Sequence, residues 1–126
     1  MHKSRKYVIP SGVTIIGDSS FFRCTNLTSI TIPDTVQVIK ASAFNSCMGL
    51  TSIYIPESVT NMGNWDIVQA SESQFYGCNP DLVIYCGSEA KPDGWWTYWN
   101  YYDDENTLNV KWGYTYEEYL DEINAE

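Results

Sequence analysis

The sequence predicts a mostly-β repeat solenoid of the α/β type: a short right-handed stack with a parallel sheet, an aromatic C-terminal cap and a short terminal helix. Three observations carry this prediction. First, Ile9-Pro10, Ile32-Pro33 and Ile55-Pro56 recur at intervals of 23 residues. Val13, Val36 and Val59 keep the same offset, as do Ile16, Ile39 and Met62, Phe21 and Phe44, Cys24 and Cys47, Leu27 and Leu50, and Ile30 and Ile53. A unit of this length cannot bury its apolar side alone and is stable only when stacked on its neighbours. Second, Ile30-Thr31-Ile32 and Ile53-Tyr54-Ile55 alternate with the period of a strand that has one face buried. Third, the chain ends its repeats in the aromatic run GWWTYWNYY from Gly94, which is suited to covering the last coil.

The elements follow in order. Strands are expected near residues 6–9, 27–32, 50–55 and 82–86, forming one parallel sheet, each closed by a proline or its counterpart. The segments after Val13, Val36 and Val59 read as a second extended stretch on the opposite side of the coil. Phe21 and Phe44 should stack into a column where the chain turns back. In the third turn the expected Phe and Cys arrive late, as Phe75 and Cys78, so residues of about 64–74 form an insertion that should project as a loop. Ile84 and Cys86 then restore the strand. Residues 87–113 read as the cap, with Val110 and Trp112 as an added strand. In residues 114–126, Thr115 and Glu118 have the spacing of a capping box. Tyr116, Tyr119, Leu120 and Ile123 fall on one helical face, which should lie on the cap, and Glu117, Glu118, Asp121 and Glu122 should face solvent. The organisation is thus a repeat domain over 1–113, with repeats over about 7–86, and a terminal acidic helix over 114–126.

Composition bounds the function. The 126 residues are 44% hydrophobic and 18% charged, which is globular rather than disordered. A net charge of -9 sets nucleic-acid binding aside, because a phosphate backbone needs a concentrated basic surface. No apolar run approaches the roughly 20 residues that span a bilayer, so no membrane insertion is expected. The basic start MHKSRKYVIP lacks the apolar stretch of an export signal.

The repeated lines CTNLTSITIPDTVQVIKASAF and CMGLTSIYIPESVTNMG resemble the BspA-like leucine-rich repeat family, whose unit reads approximately L-x-S-I-x-I-P-x-S-V-T-x-I-G-x-x-A-F-x-x-C. Residues 7–86 carry that resemblance, and IYCGSEAKPDGWWTYWN with VKWG resembles the closing segment of such arrays, extending it to about residue 113. The resemblance implies a leucine-rich repeat fold and a non-enzymatic role in protein recognition or adhesion, with a host or cell-surface protein as partner. It implies a cell-surface or secreted location for a fragment of a longer protein, and a cytoplasmic or effector-like one for a chain complete as written. Two alternatives stand beside it: a carbohydrate-binding module using exposed Trp and Tyr, and a purely structural capping piece of a larger adhesin.

No residue pattern assigns catalysis, a cofactor or a metal. Cys24, Cys47, Cys78 and Cys86 occupy apolar repeat positions without close Cys-x-x-Cys pairs, so they read as buried structural thiols. His2 is the only histidine, and Asp103, Asp104 and Glu105 lack calcium-loop spacing. The candidate binding residues are Thr31, Tyr54 and Tyr85, outward on successive strands, with Trp65 from the insertion. Tyr and Trp dominate many interfaces, which makes this face the expected recognition surface. The N-terminal repeat edge, with Ser4 in the leucine column and basic neighbours, is an expected site of self-association as a homo-oligomer.

Overall fold

A computed structural model describes residues 5–63 and 69–125. Its strands are β1 (Arg5–Val8), β2 (Ile15–Ile16), β3 (Leu27–Thr31), β4 (Val38–Ile39), β5 (Ser52–Ile55), β6 (Val83–Cys86) and β7 (Asn109–Lys111), followed by one helix, α1 (Tyr116–Ile123). All strand pairs are parallel. β1 pairs with β3, setting Tyr7 opposite Ile30 and Val8 opposite Thr31. β6 lies between β5 and β7, with Tyr54 opposite Tyr85 and Ile84 opposite Val110. Across the coil β2 pairs with β4, and isolated bridges from Val38 to Asn61 and from Met62 to Trp95 carry the same side onward.

The 23-residue columns are columns in space because each inward side chain meets the same residue type from the next coil. Val36, Ile39, Phe44, Leu50, Ile53, Ile55, Val59 and Met62 are fully buried in one continuous core. Each such aliphatic or aromatic side chain contributes about 1.5–3 kcal/mol through the apolar area it removes from water. Phe21 stacks on Phe44 at 5.5 Å and Phe44 on Phe75 at 5.4 Å, with rings near parallel. Beside this column the thiols make their own ladder. Cys47 donates to the Phe21 carbonyl at 3.0 Å, and Cys78 to that of Phe44 at 3.1 Å. All four cysteines are free thiols, three of them buried and Cys24, on the first coil, half-buried. Burial pushes the thiols of Cys47, Cys78 and Cys86 up to about 12, so each remains protonated, and Cys47 and Cys78 remain donors.

At the C-terminal end Trp95, Trp96 and Trp99 are buried against the last coil, together with Leu108. The indole of Trp95 donates to the Val59 carbonyl, and that of Trp96 to the side-chain oxygen of Gln74. The Gln74 amide donates in turn to the Ile39 carbonyl, which makes this buried glutamine a cross-link between coils.

Three expectations are corrected here. The strands do not form one sheet, because no backbone hydrogen bond among the described residues joins β3 to β5. The described end of the insertion does not project: Ala70, Ser73 and Gln74 are buried, beside a 3-10 turn over Ala70–Glu72. The helix α1 meets the cap at β7, where Glu122 pairs with Lys111, but it does not pack on the tryptophan cluster. It covers the outer side of β5 and β6, where Tyr119 packs against Tyr54 and Tyr85.

Candidate binding groove

The corner at the end of each strand is a five-residue block that occurs twice in succession. Thr31-Ile32-Pro33-Asp34-Thr35 starts on the last residue of β3, and Tyr54-Ile55-Pro56-Glu57-Ser58 starts on the last two residues of β5, one period later. In the first block Thr35 ties its coil to the preceding one. Its hydroxyl accepts from the Gly12 amide at 3.2 Å and donates to the Val13 carbonyl at 2.8 Å. Ser58 holds the matching place one coil on, and its hydroxyl oxygen is buried without any hydrogen-bond partner. The second and third coils are therefore not laced together at this corner.

At the other end of the same strands the two coils touch. A Cβ placed on Gly49 would lie 2.7 Å from the Thr25 carbonyl oxygen and 2.9 Å from that of Leu27, contacts that only glycine tolerates. Close approach at Gly49 and separation at the proline corners make a wedge. The opening is a groove of about 680 Å³, with Thr31, Pro33 and Asp34 on one wall and Tyr54, Pro56, Glu57 and Ser58 on the other. Tyr116, from the first turn of α1, adds an aromatic rim and is 41% exposed.

Of the residues singled out from sequence, Thr31 and Tyr54 meet in this groove, while Tyr85 does not. Tyr54 and Tyr85 do point away from the core, but the expectation that they form an open surface is overturned: they are 9% and 5% exposed. The cause is α1. The Tyr54 hydroxyl donates to the Tyr114 carbonyl at 2.7 Å, and its ring meets Tyr116 and Tyr119. Ser52 shares a 3.0 Å hydrogen bond with the Tyr119 hydroxyl. Trp65 lies outside the described residues.

Sequence reasoning missed Glu122. It was expected in solvent, yet its carboxylate accepts from the Tyr85 hydroxyl at 2.7 Å and the Tyr114 hydroxyl at 2.9 Å, and pairs with Lys111 on β7. Those donors, Lys111 first, hold its carboxyl down at about 2. A signal was available, since Glu122 stands three residues after Tyr119 and so on the same helical side. Lys111 also lies 5.4 Å from the centre of the Tyr85 ring, adding a cation–π contact. The helix starts as expected, with Thr115 and Glu118 forming a reciprocal capping box.

Among the described residues no group of three or more His, Cys, Asp or Glu is placed to hold a metal ion. Asp103 instead folds its own loop, accepting from the amides of Glu105 and Asn106 and from the Asn106 side chain, and these bonds lower its pKa. The first coil presents Tyr7, Val8 and Ile15 to solvent.

The family described as "BspA type Leucine rich repeat region (6 copies)" matches residues 2–80. Comparisons with curated proteins and with solved structures give no match.

Proposed function

Because the chain belongs to the BspA-type leucine-rich repeat family, we propose that it is a non-enzymatic protein-recognition module, a short solenoid whose stacked coils hold a binding groove rigid. The wedge between the second and third coils carries this reading. It joins an apolar floor, two proline corners and an exposed tyrosine with the exposed carboxylates of Asp34 and Glu57. Interfaces draw their energy from such aromatic anchors in preformed hollows. The carbohydrate alternative is the weaker one on the same geometry. A sugar-stacking platform needs open ring faces, whereas Trp95, Trp96 and Trp99 are buried and Tyr54 is already packed between Tyr116 and Tyr119. Display on a cell surface fits the family, and no helix among the described residues is long and apolar enough to cross a membrane.

A photo-crosslinking amino acid placed at Tyr116 tests the proposal in the source cells. Protein-sized adducts formed from position 116, and not from a control placed at Glu105, are the expected result. Adducts only from position 105, or binding to a glycan array that free glycan competes away, would overturn it.

A further inference from the structure

We propose that the wedge receives an extended segment of a partner protein that presents an arginine, with the guanidinium held between Asp34 and Glu57. This rests on the protein-recognition reading and specifies the partner's chemistry. Asp34 and Glu57 occupy the same place in successive coils, so two carboxylates stand one coil apart in a single column. Both are exposed, and among the described residues neither has an ion pair or a hydrogen bond from a side chain or backbone amide. Two unpaired carboxylates that line one groove make a negative site that a cation entering it can satisfy. Among the described residues no lysine or arginine lines the groove to do so from within the chain.

The cation belongs to an extended backbone for a separate reason. β3 and β5 make no backbone hydrogen bonds to each other. The Thr31 carbonyl bonds to the Ile9 amide, and the Thr51 and Ile55 carbonyls to the Val83 and Gly87 amides. By strand alternation Ile30, Ser52 and Tyr54 then turn their backbone groups toward the open seam. The mouth of the wedge thus offers main-chain donors and acceptors together with Tyr116. A peptide strand uses main-chain groups for affinity and one side chain for selectivity. Arginine suits the pair of acids better than lysine because its planar fork donates to two carboxylates at once.

The test maps amide shifts of the intact isotope-labelled chain during titration with a blocked heptapeptide of valine and threonine carrying one central arginine. A twin with citrulline in that place keeps the shape and removes the charge. Saturable shifts confined to residues 30–35 and 52–58 are expected. Affinity should fall at least about tenfold with the citrulline twin and in Asp34→Asn/Glu57→Gln, and stay unchanged in Asp18→Asn/Asp81→Asn, which removes the same charge elsewhere. Equal binding of the two peptides would overturn the claim for the cation. Shifts on another surface, or none at millimolar peptide, would overturn the claim for the groove while leaving the crosslinking result at Tyr116 to decide the broader reading. Groove shifts from a neutral hexasaccharide that exceed those from the peptide would overturn both.

Discussion

The interval between the first and second coils and the interval between the second and third are built from nearly the same letters, yet only one is laced on the strand side. Across the first, Ile9 bonds to Thr31, Arg5 to Asn26, the Thr28 hydroxyl to Arg5, and Thr35 to both Gly12 and Val13. Across the second none of the counterparts forms, and Ser58 keeps a buried hydroxyl unpaired. On the other two sides both intervals are continuous. Phe21 bonds to Ala43 and Phe44 to Gln74, while Lys40 bonds to Ile16 and Thr60 to Gln37. A repeat array therefore opens a groove without breaking its core, by releasing one side of the coil while the other two hold.

If those two sides bear the load of the second interval, damage to them should be most costly. Phe44→Ala empties the centre of the three-ring stack and is expected to destabilise the chain by about 3–5 kcal/mol, measured by urea unfolding. A loss no larger than that of a surface change would show that the aromatic column does not carry the interval. The next effect concerns the helix that closes the C-terminal part of the same strand side. The Glu122 carboxyl is held at about 2 against an ordinary 4.5, so its contribution is complete above the ordinary value and disappears as pH falls toward 2. The near-ultraviolet signal of Tyr85, Tyr114 and Tyr119 should change over that window at constant ionic strength. Glu122→Gln should abolish the transition, and its persistence would locate the titrating group elsewhere.

A smaller and more direct test compares the two corner hydroxyls. Thr35→Val removes a hydroxyl with two partners and should cost about 1 kcal/mol. Ser58→Ala removes one with none and should leave stability unchanged or slightly higher. Equal losses would mean that the second corner closes in solution. Hydrogen exchange gives the finest measure. The amides of Ile30 and Tyr54, directed into the seam, should exchange on the order of tenfold faster than that of Ile9, which is bonded to Thr31.

The parts legible in the sequence were those fixed by size matching between coils. Phe21 with Phe44, Ile30 with Ile53 and Cys24 with Cys47 announce their stacking because neither a larger nor a smaller side chain would fill the column. The capping box at Thr115 and the burial of the Trp95 cluster were legible for similarly local reasons. The opened seam was not, since Thr35 and Ser58 read as equivalent and nothing local distinguishes a bonded hydroxyl from an orphaned one. Tyr54 and Tyr85 were read correctly as outward and wrongly as open, because what covers them arrives later in the chain, on a helix whose acid Glu122 looked like ordinary solvent-facing charge. The acidic pair became meaningful only when the corner holding Asp34 was seen to stand apart from the corner holding Glu57.

The corners of the coil also set where this protein tolerates a change of length. Ser19 and Ser42 adopt left-handed backbone conformations at matching places, and so do Arg23, Ser46 and Gly77. Two such bends per coil act as fixed index marks. In the third coil the second mark survives at Gly77, but the place of the first is taken by Ser73, whose φ of -52 is ordinary. The extra residues thus entered where one index mark was given up. A segment grafted at Ser19 or Ser42 should be accepted on the same terms, whereas one grafted at Arg23 or Ser46 would cut the bend that sets the following thiol and leucine, so the array's editable position is one corner of each coil.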